Sequence, residues 1–329
     1  MTTWNKQSLQ RNILLSVLFG FLVILALMLL ADIRQVAGVL RHFRWQYVPL
    51  ILGLTLLNYG LRFVKWQYYL AILGIRGIPW VDSLRVFVAN FIMVMTPGKV
   101  GEFFKSYLLK NVSGAPMAQS APIVLAERVT DGLAMAILAL VGLTSYRNAW
   151  PILAVVTAIM LAEVVVIQIR PLALALLRWG EHLPLIRRVA SSLHTLYESS
   201  YRIFRWDALL LAVGLGIISW GSEGVAFYLV LRGLGMPASW ELLLHAIFIL
   251  AFATIVGAVS ALPGGLGAAE GSMAGLLLLL VTSDETLAVA ATLLIRLFTL
   301  WFGVLLGAIV LVSSRQRLLP GGANAPLAG

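Results

Sequence analysis

The 329-residue chain contains no cysteine, which excludes disulfides, thiolate metal sites and a cysteine nucleophile. Histidine is nearly as scarce. Its four histidines, His42, His182, His194 and His245, have no metal-ligand spacing, so no metal and no cofactor are expected. Charge is sparse too: 12% of residues are charged, against roughly 25% in a soluble domain. With 60% hydrophobic residues and a mean hydropathy of +0.94, too little polar surface remains to wrap a water-soluble particle of this size. The same composition excludes a disordered chain, which would be poor in apolar residues. The apolar runs are continuous rather than alternating, which argues against a β-barrel.

What is present is a series of runs approaching the ~20 apolar residues that a helix needs to cross a bilayer. The expected fold is an all-α polytopic membrane protein forming a single membrane domain over 1–329. About six to eight transmembrane helices are expected, together with two re-entrant hairpins broken by Pro-Gly motifs, in an inverted repeat. Lys6 and Arg11 precede a first apolar run over 12–31. That run is long and shows no small-x-small site before Asp32, so it reads as a retained first transmembrane helix rather than a signal peptide. Further spans fall near 47–73, 118–145, 151–169, 207–231 and 286–312. The broken hairpins fall at 80–110 and 241–283. Repeat 1 then covers 46–145, a connecting helix and basic segment 151–206, repeat 2 207–312, and a flexible tail 313–329.

The net charge of +10 speaks first to orientation, because Lys and Arg concentrate in cytoplasmic loops, and it implies no nucleic acid. The stretch 170–206 holds six arginines, Arg170, Arg178, Arg187, Arg188, Arg202 and Arg205, and is placed in the cytoplasm. Arg315 and Arg317 place the C-terminus there, and the N-terminus follows. The 32–44 loop, with Arg34, Arg41 and Arg44, falls outside in this arrangement, against the rule.

The two halves share a pattern. The first contains YYLAILGIRGIPW (Tyr68 to Trp80), TPGKVGEF (Thr96 to Phe103) and LAERVTDGLA (Leu125 to Ala134). The second contains FYLVLRGLGMPASW (Phe227 to Trp240), LPGGLGAAE (Leu262 to Glu270) and LLIRLFTL (Leu293 to Leu300). Both use a P-G-x-[VL]-G core, built from Pro97, Gly98 and Gly101 in one half and Pro263, Gly264, Gly265 and Gly267 in the other. An intramembrane arginine, Arg128 or Arg296, follows each at a similar distance. Proline breaks the helix and glycine permits the reversal. The half-helix that follows offers free N–H groups and a positive dipole end suited to phosphate. Broken helices in inverted repeats point to a transport site near the bilayer midplane. Read singly, Pro97 and Pro263 could merely kink packed helices.

A charge at the centre of a membrane helix costs ~2.5–3.5 kcal/mol, so the ionisable residues of these segments must pair, reach the interface or line a wet cavity. Arg62, Lys65 and Lys110 are read as close enough to helix ends to snorkel. Lys99, Glu102, Glu127, Arg128, Asp131, Glu223, Glu270 and Arg296 are the candidate substrate-binding residues, with Lys99 and Arg296 as preferred phosphate contacts. Asp131 could instead neutralise Arg128 one turn away, as part of a structural ion cluster. Arg296 has no acid nearby in sequence, which leaves Glu270, Glu223 or a bound anion as its partner. Gly267, Gly271 and Gly275, like Gly303 and Gly307, recur every four residues and suggest close helix packing.

TPGKVGEF, the ERVTD helix, LPGGLGAAE and the late intramembrane arginine together resemble the lysylphosphatidylglycerol synthase transmembrane, or flippase, family over about residues 10–315. The founding members move aminoacylated phosphatidylglycerol between leaflets, while a separate soluble domain attaches the amino acid. The sequence has no such domain after its last span, so the resemblance implies a stand-alone member that handles a lipid without synthesising it. Stand-alone relatives occur in settings of hopanoid, glycolipid or isoprenoid-linked glycan metabolism.

Three functions follow as expectations. The first is a lipid translocator moving an anionic, aminoacylated or related polar lipid between the leaflets of a bacterial-type inner membrane. The second is a non-catalytic partner of a lipid, hopanoid or glycan-lipid biosynthetic enzyme. The third, an intramembrane transferase, lacks a DDxxD-like cluster, a G-x-S-x-G elbow and metal-ligand His/Glu spacing. No G-x-x-x-x-G-K-[ST] loop is present for ATP. Membrane lipids are the expected partners, with a biosynthetic enzyme and a homo-oligomer left open.

Overall fold

A computed structural model describes residues 33–96, 101–140, 150–170 and 190–319, and all regular structure among them is helical. The first span at 12–31, the middle of the basic segment at 171–189 and the tail beyond 319 lie outside the described residues. In chain order the helices are α1 (Ile33–Arg41), α2 (Val48–Ile72), α3 (Trp80–Ala89), α4 (Phe104–Ser113), α5 (Met117–Leu140), α6 (Trp150–Gln168) and α7 (Ala190–Ile203). They continue with α8 (Trp206–Gly233), α9 (Trp240–Val259), α10 (Ala268–Leu280), α11 (Glu285–Arg296), α12 (Phe302–Ser313) and the short α13 (Arg315–Leu318). A 3-10 segment, Asn90–Met95, extends α3, and a π-turn, Leu297–Trp301, joins α11 to α12.

Among the described residues, six stretches are long and apolar enough to cross a membrane: α2 with its leading turn, α6, α8, α9, Pro263–Leu280, and α11 through α12. At ~1.5 Å per residue, the 20 residues of α9 match a ~30 Å hydrocarbon core. α5 is as long, at 24 residues, but carries Glu127, Arg128 and Asp131 in its middle. The chain is therefore a polytopic all-α membrane protein.

Local chemistry sets the helix ends. Ser239 accepts a hydrogen bond from the Leu242 N–H and starts α9, and Asp284 does the same for Thr286 and Leu287 at the start of α11. Trp45, Trp80, Trp150, Trp206 and Trp240 all stand in or beside the first turn of a long or hairpin helix, each more than half exposed. Indoles prefer the membrane–water interface, so these residues mark where segments enter. Residues 33–41, read from sequence as a loop, form the amphipathic α1, which rests Val36, Val39 and Leu40 on α11. Likewise, the end of the basic segment is not a solvated loop. It is α7, which lies against α5 and α6 and exposes Arg202 while burying Ile203.

The centre of the molecule is the crossing of α2 and α8. Asn58 Nδ2 donates to the Ser219 carbonyl (3.0 Å), and Ser219 Oγ donates back to the Asn58 carbonyl (3.3 Å). Ser222 Oγ reaches the Leu54 carbonyl at 3.2 Å, and the Arg44 N–H reaches the Gly233 carbonyl at 2.9 Å. Contacts that climb one helix while descending the other make the pair antiparallel.

Both helices end in the same turn. Leu73, Gly74 and Ile75 donate their N–H groups to Tyr69, Ala71 and Leu70; Leu234, Gly235 and Met236 donate to Val230, Arg232 and Leu231. Gly74 and Gly235 take the left-handed φ values of 70° and 96° that this reversal needs. The matched turns have the same 161-residue offset that separates Asn58 from Ser219. In that register Tyr59 is the counterpart of Trp220, and Arg62 that of Glu223.

Candidate functional site: a charged cavity between two turns

The Pro-Gly segment at 263–267 is a compact reversal. Ala261, Gly264, Gly265 and Gly267 have positive φ values of 55°, 60°, 68° and 85°. Only glycine holds such angles at little cost, and a Cβ on Gly265 would also meet the Gly257 backbone at 3.0–3.1 Å. In the first half, Pro97, Gly98 and Lys99 lie outside the described residues. The rim beside them is a hydroxyl relay in which Gly101 N–H donates to Thr96 Oγ1 (2.9 Å) and Thr96 Oγ1 donates to the Met93 carbonyl (2.7 Å). The Asn90–Met95 segment contacts Pro263–Gly265, so the two broken regions meet.

Each region is tied by an acid and an arginine. Arg296 Nε donates to Glu270 Oε1 at 2.5 Å, and its Nη2 donates to the Gly264 carbonyl at 2.8 Å. Glu270 Oε2 meanwhile accepts from the Gly267 N–H at 2.7 Å. Glu270 thus caps the start of α10, and Arg296 holds both the cap and the turn. The half-helix N-terminus expected to face a phosphate is capped by the protein's own carboxylate. In the first half Arg128 pairs with Glu102, and both Glu–Arg pairs are separated by 26 residues in sequence.

Asp131 does not neutralise Arg128. It accepts from Lys65 and faces Arg62 Nε at 3.7 Å. Lys65 is 1% exposed and so cannot snorkel; with Arg62 it stands near the middle of α2, not at its end. Lys110, by contrast, is exposed in the last turn of α4. Glu127 turns from the cavity and accepts from Lys105 at 2.7 and 2.9 Å. That ammonium also lies 4.5 Å from the centroid of Trp66 and 4.8 Å from that of Phe87.

Beside the 263–267 turn is a cavity of about 150 Å³. Arg62, Arg128 and Arg296 line it together with Glu102 and Glu223. Arg128 is the most accessible of these arginines, at 39% side-chain exposure, while Arg62 lies 5.5 Å from the Trp220 ring centroid. Glu270 and Asp131 stand behind this lining, each bound to a cation. The π-turn after Arg296 shapes another wall, where the Thr299 carbonyl accepts from the Tyr59 hydroxyl at 2.7 Å. Such π-turns concentrate at functional sites.

Of the sequence candidates, Glu102, Arg128, Glu223, Glu270 and Arg296 gather in or directly behind the cavity wall, Asp131 joins them through Arg62, and Glu127 does not. Arg62, Tyr59 and Trp220 were missed. For Arg62 the signal was available, because position 62 is close to the midpoint of the apolar 47–73 run. The glycine repeats divide: Gly303 faces the Tyr59 hydroxyl and Gly307 the backbone of Val88 and Ile92, whereas a Cβ on Gly271 or Gly275 would meet nothing.

Comparison with known proteins places this architecture. A UPF0104 membrane protein of Methanothermobacter thermautotrophicus is 29% identical over 229 residues, which cover 61% of this chain and 65% of the relative, just under two thirds of its length. A UPF0104 membrane protein of Methanocaldococcus jannaschii is 24% identical over 230 residues, 70% of this chain and 96% of the relative. One from Pyrococcus horikoshii is 30% identical over 102 residues, 31% of this chain and 29% of the relative. The model of the lysylphosphatidylglycerol synthase TM region matches residues 14–307, nearly the whole chain. The chain belongs to the lysylphosphatidylglycerol synthase transmembrane-region family.

Proposed function

We propose that the protein carries a polar lipid between leaflets, with the headgroup in the cavity and the acyl chains left in the bilayer, and that it acts as a carrier rather than a catalyst. The observation that supports this reading is the convergence of Arg62, Arg128 and Arg296 on one cavity in an otherwise apolar body. Three guanidiniums at membrane depth are costly unless they serve a ligand or a fixed partner. Arg128, with two fifths of its side chain accessible, retains donors for a phosphate beyond its bond to Glu102.

The antiparallel α2–α8 crossing and the matched turns support a reading of the two halves as inverted repeats. The end that carries Arg170, Arg202, Arg205 and Arg317 lies in the cytoplasm of a cell membrane, with both chain termini. Reconstituted vesicles test the proposal. Arg128→Ala and Arg296→Ala should each lower the rate at which a fluorescent phospholipid changes leaflet by at least about tenfold. An unchanged rate in a folded variant would refute it.

A further inference from the structure

Among the described residues, the buried cations of this body each have an acid: Arg62 and Lys65 share Asp131, Lys105 has Glu127, Arg128 has Glu102 and Arg296 has Glu270. Glu223 is the exception among the buried acids. It is 6% exposed, it lines the cavity, and neither carboxylate oxygen takes a hydrogen bond or an ion pair. Arg62 and Arg296 share the cavity wall with it but form their ion pairs with Asp131 and Glu270 instead. One turn earlier on the same helix, Trp220, which also lines the cavity, keeps its indole N–H buried and unpartnered. A buried carboxylate without a donor is expensive, and its position on a cavity wall points to a cation as its missing partner.

Charge balance narrows the ligand. The cations around the cavity, Arg62, Lys65, Arg128 and Arg296, are matched in number by Glu102, Asp131, Glu223 and Glu270. Lys99 lies outside the described residues and does not enter this balance. A monoanionic headgroup would add an uncompensated charge to a site of low dielectric. A headgroup carrying both a phosphate and an ammonium would add none, and each of its charges would find an opposite one: phosphate at the accessible Arg128, ammonium at Glu223. We propose that Glu223 is an ammonium subsite and that the lipid carried is zwitterionic, a phosphate bearing a primary amine. This rests on the lipid-carrier reading and specifies its substrate class.

The test uses the purified full chain, native mass spectrometry and two short-chain probes, dioctanoyl phosphatidylethanolamine and dioctanoyl phosphatidylglycerol. Wild type should retain the ethanolamine lipid about tenfold better than the glycerol lipid. Glu223→Gln should reverse that order, because the cavity then carries one net positive charge. Glu223→Asp, which keeps the carboxylate, should preserve it. An order unchanged in Glu223→Gln would overturn the subsite. So would preferential binding of the glycerol lipid by wild type with uptake of one proton, which would make Glu223 a proton carrier. If Arg128→Ala and Arg296→Ala retain both lipids as well as wild type does, the carrier reading itself falls.

Discussion

Replacing Asp131 with asparagine should damage this protein more than any other single uncharging of a buried pair, and the reason is geometric. Asp131 is 4% exposed and, among the described residues, is the one acid within ion-pair distance of two cations, Lys65 at 1% and Arg62 at 22% side-chain exposure. Asp131→Asn leaves Lys65 with no anion, only a neutral amide oxygen and the Thr130 hydroxyl at 3.3 Å. Removing one partner of a buried pair costs about 3–5 kcal/mol, because a charge is stranded rather than a contact merely lost. Lys65→Met should cost less, roughly 1–3 kcal/mol, since Asp131 keeps Arg62 as a partner. The double variant Lys65→Met/Asp131→Asn should recover most of the loss, because Arg62 is the one group left over and it borders the cavity. Thermal unfolding in detergent, followed by tryptophan fluorescence, would read these as a fall of roughly 10 °C for Asp131→Asn and a smaller fall for the double variant. Arg170→Gln is the control, since its pair with Glu198 is about half exposed and should contribute little. If Asp131→Asn shifts unfolding no more than Arg170→Gln, buried ion pairing is not what holds α2 against α5.

Other outcomes follow from single contacts. Tyr59→Phe removes the hydroxyl that satisfies the Thr299 carbonyl and should cost about 1 kcal/mol, with faster amide exchange in the π-turn by mass spectrometry. Gly307→Ala would press a Cβ to 2.8 Å from the Ile92 nitrogen and 3.0 Å from the Val88 carbonyl, so it should destabilise by about 1–3 kcal/mol; an unchanged melting temperature would contradict that packing. Gly271→Ala, with nothing within 4 Å, should be neutral or stabilising by up to ~1 kcal/mol in the same assay. Glu270→Gln should loosen the 263–267 turn by weakening both the Arg296 bond and the α10 cap, read as faster proteolysis at that turn.

The membrane class was legible because hydrophobic runs are a one-dimensional signal, and so was the Pro-Gly turn at 263–267, since proline and glycine act locally. Pairing was harder. Arg128 and Asp131 sit three apart on α5 and look like natural partners, yet Arg128 points to Glu102 and Asp131 to α2. Helical spacing says which residues share a face; it does not say which neighbour that face meets. Reading Arg62 and Lys65 as interfacial failed for a different reason. A lysine at the centre of an apolar helix is implausible when the helix is considered alone, and only the aspartate on another helix makes it affordable. Conversely, the glycine spacing at 267–275 looked like a packing stripe, but a stripe needs a partner surface, and only Gly303 and Gly307 have one.

The two halves are alike where they hold the chain and different where they border the cavity. The turn after α2 and the turn after α8 use the same hydrogen bonds, and each Pro-Gly region is tied by a glutamate and an arginine 26 residues apart. Those shared features stabilise backbone that no regular helix supports. At the crossing the equivalence breaks: Tyr59 stands opposite Trp220, and Arg62 opposite Glu223. Asp131, three residues after Arg128, corresponds to Thr299, three after Arg296, so the acid that serves Arg62 and Lys65 in the first half has no counterpart in the second. A cavity of strictly equivalent halves would present the same charge from both sides and hold a phosphate or an amine equally from either leaflet. Opposite charges at equivalent positions give the cavity an internal direction, which under the proposed carrier role would orient a two-charge headgroup.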